Sequence, residues 1–292
     1  MRMNRFDFFD RKFRIGPFTI SPVFQPTVST RTKKIAGFEI LSRFYSDHAK
    51  EFVSTQKGLE ALSTNQQIAL LQNMHALALF AQESLATETS THPVPISINV
   101  PLILVESGRA FDIFKTTPEN RRRLIKIELL EQGVSDWLRF NREIEKFKRI
   151  KIGVYVDDFG SLEEHWKFLL LPSASIEKIK FDRLFVPKRS GEAGNSRTTR
   201  LTMVVGGMGS SGVVAKKGVG RESSDQKNAY NVHFLEAWSL WAKENHIRTS
   251  IEGVEEAWEY HKISRYVDEV QGYYTGRPAP LSTWLLHFSG ES

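Results

Sequence analysis

The sequence predicts a (β/α) barrel of about eight strands, and two observations carry that prediction. Short runs of β-formers alternate, from the second run onward, mostly with segments of helical period. Seven consecutive strand ends each carry a group able to ligate a hard cation or donate to an oxyanion: Glu39, Asn99, Glu128, Asp157 with Asp158, Lys180, Glu252 and Gln271. A barrel gathers the C-terminal ends of its strands on one face, so residues scattered along the chain would converge there.

The elements follow in order. Residues 1–18 are charged and aromatic without a clear period and read as an arm; 19–292 read as the barrel. Phe18 to Val28 is strand-like but broken by Pro22 and Pro26. A turn at Thr30–Lys34 leads into Ile35–Arg43, a hairpin arm with Glu39 inside an apolar run. Leu62, Ile68, Leu71, Met74, Leu77, Ala78 and Ala81 lie near helical spacing and predict one long helix over Gly58–Ala86. Pro93–Val105 is the next strand, with Asn99 between Ile98 and Val100. Arg123–Glu131 follows, with Glu128 and Glu131 at its end.

A helix over Ser135–Arg149 leads to the central strand, where Ile152, Val154 and Val156 stop at the adjacent carboxylates Asp157 and Asp158. Neighbouring aspartates repel and cost desolvation inside a sheet, so a site at the strand's end explains them better than a bland structural role. Leu162–Leu171 reads as a helix stopped by Pro172, and Ile176–Val186 as a strand holding Lys180 among apolar neighbours. Residues 187–227, rich in Gly, Ser, Lys and Arg, read as an insertion. A helix over Ala229–Lys243, a strand from Ile247 to the junction at Glu252, a helix at about 255–265, the short strand Glu269–Gln271 and a closing helix over Leu281–His287 complete the alternation.

The totals exclude several function classes. Hydrophobic content of 40% over 292 residues supplies a core, so a disordered chain is excluded. With no cysteine, disulfides, thiolate metal sites and cysteine nucleophiles are excluded. The net charge of +6 is interspersed with acids, its densest cluster is Arg121-Arg122-Arg123, and no nucleic-acid motif accompanies it, so no nucleic-acid polymer is expected as partner. Without a long apolar run, no membrane span is expected, and the chain is expected to be cytoplasmic. The histidines show no ligand spacing, which speaks against zinc.

The chemistry follows from the strand-end inventory. Several carboxylates around one mouth repel unless divalent ions sit among them, and all-oxygen donors suit Mg²⁺ or Mn²⁺. Two such ions clamp a phosphate and acidify a water. Lys180 is then placed to hold that water or stabilise charge on phosphoryl oxygens, and Arg43 to neutralise a second phosphate.

Glu39-Ile-Leu41 with Arg43 resembles the Glu-Ala-Leu-x-Arg signature of the EAL family of bacterial cyclic di-GMP phosphodiesterases. Phe24-Gln25-Pro-Thr-Val28, Leu124–Glu131, Ile179–Arg183, Ile251–Glu255 and Asp268–Pro278 resemble that family's other motifs, in its order, over residues 20 to 288. The resemblance implies a modified (β/α)8 barrel, TIM-like but with an antiparallel first strand, and hydrolysis of cyclic di-GMP to linear pGpG with two ions, Mg²⁺ or Mn²⁺. It implies metal ligation by Glu39, Asn99, Glu128, Asp157, Asp158 and Glu252, and water activation by Lys180 and Glu252. Glu255 and Gln271 would support the metal shell, Glu131 would anchor the loop after Asp158, and Gln25, Leu41 and Arg43 would contact substrate. A homodimer or a regulatory protein partner is compatible with it.

The chain departs from the family after Gly160, where Ser161-Leu-Glu-Glu-His-Trp166 replaces Thr-Gly-Tyr-Ser-Ser-Leu, and in the insertion. The rival reading is therefore a catalytically silent module of the same fold that binds cyclic di-GMP or a protein. Every matching ligand position retains its group, which favours the enzyme. The insertion also contains Gly207-Met-Gly-Ser-Ser-Gly212 after an apolar run; Lys216–Gly220 interrupts the helix a dinucleotide site would need, so no such cofactor is expected.

Overall fold

The computed structural model describes residues 12–88, 93–130, 134–160, 175–188, 200–202, 216–218 and 224–289. The strands are β1 (Phe13–Ile15), β2 (Phe18–Ser29), β3 (Ile35–Ser46), β4 (Glu51–Val53), β5 (Ile96–Pro101), β6 (Ile125–Leu130), β7 (Gly153–Phe159), β8 (Lys178–Phe181), β9 (Arg200–Thr202), β10 (Lys216–Gly218), β11 (Arg248–Ile251) and β12 (Glu269–Gln271). The helices are α1 (Thr55–Glu60), α2 (Thr64–Glu88), α3 (Leu102–Glu106), α4 (Arg109–Phe114), α5 (Trp137–Arg149), α6 (Ser224–Glu244), α7 (Ala257–Ile263) and α8 (Leu281–Ser289).

Strands β2, β3, β5, β6, β7, β8, β11 and β12 pair in that order, and β12 closes back onto β2. All neighbours are parallel except β2, which runs antiparallel to both β3 and β12. This is the modified barrel with an antiparallel first strand. β1 and β4 extend the long β2–β3 hairpin into a four-stranded apron.

The strands alternate apolar and polar residues because their two faces meet different surroundings. On β6, Ile125, Ile127 and Leu129 are buried against the helical layer, while Lys126 and Glu128 point into the barrel. Helix α5 shows how that layer forms. The Asp136 side chain accepts from the Arg139 N–H and caps the first turn, while Lys146, Lys148 and Arg149 complement the dipole at the last. Phe140, Ile144 and Phe147 then fall on one face and bury fully, each contributing on the order of 2 kcal/mol.

Three expected boundaries shift. The long helix over Gly58–Ala86 is two helices, α1 and α2. Ser63 and Gln66 form a reciprocal cap that starts α2 afresh: the Ser63 N–H donates to Gln66 Oε1 (2.9 Å) and the Gln66 N–H to Ser63 Oγ (3.4 Å). The strand expected to Val105 stops at Pro101, whose ring removes the ladder donor, and α3 follows. The strand expected over Ile176–Val186 is only β8, because the Asp182 carboxylate accepts from the Leu184 N–H (2.5 Å) and turns Arg183–Phe185 into a short 3-10 helix.

Helix α6 starts at Ser224, inside the stretch bounded as 187–227. β9 and β10 lie in that stretch and pair antiparallel, opposite in sense to the βαβ unit a dinucleotide site requires. The expected helix at 162–171, the altered segment 161–166, Glu131, and Gly207–Gly212 lie outside the described residues. No helix among the described residues is long and apolar enough to cross a membrane.

One buried titratable group bears on stability. His75 on α2 pairs through Nε2 with Thr117 Oγ1 (2.7 Å) and packs against Phe114, and burial lowers its pKa from 6.5 to about 4. Its contribution is complete above the unfolded pKa and is lost as pH falls from 6.5 toward about 4. The expected loss is up to about 3 kcal/mol. Urea midpoints measured between about pH 7.5 and about pH 4.5 should fall more steeply for wild type than for His75→Gln. Equal slopes would remove His75 as the source.

Candidate functional site

The C-terminal ends of the parallel strands deliver one interior cluster. Lys180 Nζ, on β8, lies 3.1 Å from Glu39 Oε2 on β3, 2.5 Å from Glu128 Oε2 on β6 and 3.0 Å from Asp157 Oδ1 on β7, and also contacts Glu252 just after β11. Lys180 is 0% exposed and Glu128 1%. Asn99 on β5 donates to Glu39 Oε1 (2.6 Å), and Gln271 on β12 donates to Glu39 Oε2 (2.9 Å). Seven strands of the barrel thus contribute to one centre.

Asp158 reaches the same centre by a local irregularity. Adjacent residues of a regular strand point to opposite faces. Here the register between β7 and β8 shifts between Val156 and Phe159, and Asp158 takes a left-handed backbone, φ 47°. Asp is among the few residues that adopt this conformation readily.

The electrostatics are those of crowded acids. Burial, with Glu39 and Asp157 nearby, raises the Glu128 pKa from 4.5 to about 8, although Lys180 opposes it. Burial and Asp157 push Glu252 well above its ordinary value. Burial alone would lower the Lys180 ammonium, but Asp157, Glu128, Glu252 and Glu39 outweigh it and hold the pKa well above normal. Four carboxylates therefore face one ammonium.

Among the described residues, two carboxylate triplets have ligand atoms within 4.8 Å of one another: Glu39, Glu128 and Asp157, and Asp157, Asp158 and Glu252. Asp157 belongs to both. Among the described residues, Asn99 Oδ1, Asp157 Oδ1, Glu252 Oε1 and Gln271 Oε1 are buried without a hydrogen-bond partner, although Asp157 and Glu252 lie at ion-pair distance from Lys180. Orphaned oxygens in an acidic, all-oxygen pocket fit hard divalent cations.

The remaining expected residues fall around the mouth. Glu39, Leu41 and Arg43 share one face of β3, and Gln25 on β2 stands directly opposite Glu39. Gln25 Oε1 accepts from Gln271 (3.4 Å), and its Nε2 donates to Gly276 O (3.3 Å). Arg43 is exposed and makes no ion pair among the described residues. Glu255 sits at the rim with its carboxylate on Arg183, whose hydrogen bond lowers its pKa; neither triplet includes it.

Sequence reasoning missed a second interior layer. Below the acidic cluster, Lys178 Nζ lies 2.7 Å from Glu269 and 4.1 Å over the Tyr155 ring. Arg248 bridges Glu269 and Glu177, 2.6 Å from each, and donates to Tyr155 Oη (3.1 Å). The signal was present at period two: Lys126 and Glu128, Tyr155 and Asp157, Lys178 and Lys180, Glu269 and Gln271 each share a face.

A family model described as "EAL domain" matches residues 14–205. No curated protein is matched by sequence. Among solved structures, the EAL enzyme Bd1971 in its cAMP- and cyclic-di-GMP-bound form is 18% identical, with a TM-score of 0.69 over 92% of this chain; the chain covers 64% of it. An EAL domain protein from Listeria monocytogenes EGD-e is 21% identical with a TM-score of 0.64, each chain covered to 99%. The Klebsiella pneumoniae BlrP1 manganese/cyclic-di-GMP complex is 16% identical with a TM-score of 0.61, over 93% of this chain and 58% of that one.

Proposed function

The chain belongs to the EAL domain family, and from that premise we propose that it is a metal-dependent phosphodiesterase opening cyclic di-GMP to pGpG. The observation that carries the reading is the pair of carboxylate triplets sharing Asp157 around Lys180. Glu39, Asn99, Glu128, Asp157, Asp158 and Glu252 would hold two divalent ions, Mg²⁺ or Mn²⁺. When bound, such ions polarise the phosphoryl group and acidify a water.

The chain's own groups supply the rest. Water adds to phosphorus while one P–O bond of the ring opens, so one proton must leave the water and one must reach the departing ribose oxygen. Glu252, its affinity for protons raised by burial and Asp157, is suited to accept the first. Lys180, itself fully buried, carries an ammonium suited to stabilise charge on the phosphoryl oxygens as they develop it. Gln271 and Asn99 orient Glu39. Arg43 and Leu41, above Glu39 on the same face of β3, would meet the rest of the dinucleotide.

The expected result is conversion of cyclic di-GMP to pGpG with Mn²⁺ or Mg²⁺ and none with EDTA, followed by product chromatography. Turnover that survived complete chelation would overturn the mechanism. Binding without turnover in any metal would favour the silent regulator.

A further inference from the structure

On the face opposite the acidic mouth, at the N-terminal ends of β6, β7 and β8, lies a cleft of about 630 Å³. We propose that this cleft is a second binding site, for a compact anion of the phosphate class carrying two or more phosphoryl groups. Its lining brings together Arg123, Lys126, Lys148 and Lys151, with Glu177 as the opposing carboxylate. Glu177 is already engaged, 2.6 Å from both Lys126 and Arg248. Among the described residues, Arg123, Lys148 and Lys151 have no ion-pair partner.

Two features separate this cleft from an ordinary solvated basic face. Ser175 lines it at 5% exposure, and its buried Oγ has no hydrogen-bond partner among the described residues. A buried hydroxyl is ordinarily satisfied, so an unpaired one at the wall of a cavity marks a place for an acceptor. Cations at a helix C-terminus are commonplace, and α5 explains Lys148 in that way. Arg123 lies in the last turn of the 3-10 helix Glu119–Leu124, so two separate helix ends bring their cations to this one cleft. Of the run Arg121-Arg122-Arg123, the first two donate to the carbonyls of Leu79 and Thr117, and only the third lines the cleft. The volume falls in the usual range for small-ligand sites and exceeds the needs of a single phosphate.

The test is calorimetric titration of the full chain with inorganic triphosphate in EDTA, so that no metal can bridge the anion to the acidic mouth. The proposal therefore stands or falls separately from hydrolysis. Saturable binding is expected, weakened at least tenfold in Arg123→Gln/Lys151→Gly and severalfold in Ser175→Ala. Lys151 has φ 63°, so glycine there removes the charge without backbone strain. Ser175→Ala removes an orphaned hydroxyl and should leave thermal stability unchanged or higher. Arg43→Gln, which removes a cation at the mouth, should bind as wild type. Hydrogen exchange with triphosphate should show protection at 148–154 and 175–177. Absence of saturable binding, or binding lost in Arg43→Gln and kept in the double variant, would overturn the proposal.

Discussion

Lys180→Met should lower turnover by about a thousandfold or more, because the lost ammonium acts most strongly as charge moves to the phosphoryl oxygens. At the sequence level the same change reads as tolerated by the fold, since methionine keeps the volume of the stem. The structure adds a second effect. Lys180 is the cation against which Glu39, Glu128, Asp157 and Glu252 are packed, and removing it leaves a buried acidic cluster without its cation. In EDTA the variant should therefore lose about 3–5 kcal/mol of stability, the cost of breaking a buried ion pair from one side. Divalent ions replace part of the missing charge, and at a hundredfold excess over their dissociation constant they restore about 2.7 kcal/mol. Urea unfolding with and without Mn²⁺, beside product chromatography, reads both effects. Wild-type stability in EDTA would show that the acids do not depend on Lys180, and wild-type turnover would remove it from the mechanism.

Asp157→Asn should also abolish turnover, by about a thousandfold, through a different route. Asp157 is the carboxylate common to both triplets, so its loss should weaken both ions, whereas Glu39→Gln or Glu252→Gln should weaken one. Titration with Mn²⁺ should show two sites reduced in the first variant and one in each of the others. Stability in EDTA separates Asp157→Asn from Lys180→Met by sign. Removing one of five crowded carboxylates relieves repulsion, so the metal-free protein should be as stable as wild type or more so. An Asp157→Asn protein that kept one full-affinity site would refute the shared-ligand geometry.

The site was legible in the sequence because a barrel turns a one-dimensional regularity into a place. Polar residues recurring at strand ends have no reason to converge in most folds, but parallel strands around a closed barrel leave them no other destination. Glu39, Asn99, Glu128 and Lys180 were each visible as a polar break in an apolar run, and Gln271 as the end of a short strand. Boundaries were less legible. Pro101 ends β5 and Asp182 ends β8 through a missing donor and a side-chain cap, local devices that a pattern of apolar residues does not register. The Ser63–Gln66 cap was readable as S-x-x-Q and marks the start of α2 within what periodicity alone joins.

By itself the sequence determined the barrel and the chemical class of the mouth, because alternation and residue type depend only on neighbours along the chain. Tertiary structure decided which charges face one another. The bulge that brings Asp158 beside Asp157 depends on pairing with β8. Lys178 and Lys180 look alike in sequence, yet one meets Glu269 beneath and the other meets four carboxylates above. The difference is position along the barrel axis, which no local pattern encodes. Burial then magnifies it, since largely buried acids that share one ammonium respond to one another far more strongly than their spacing along the chain suggests.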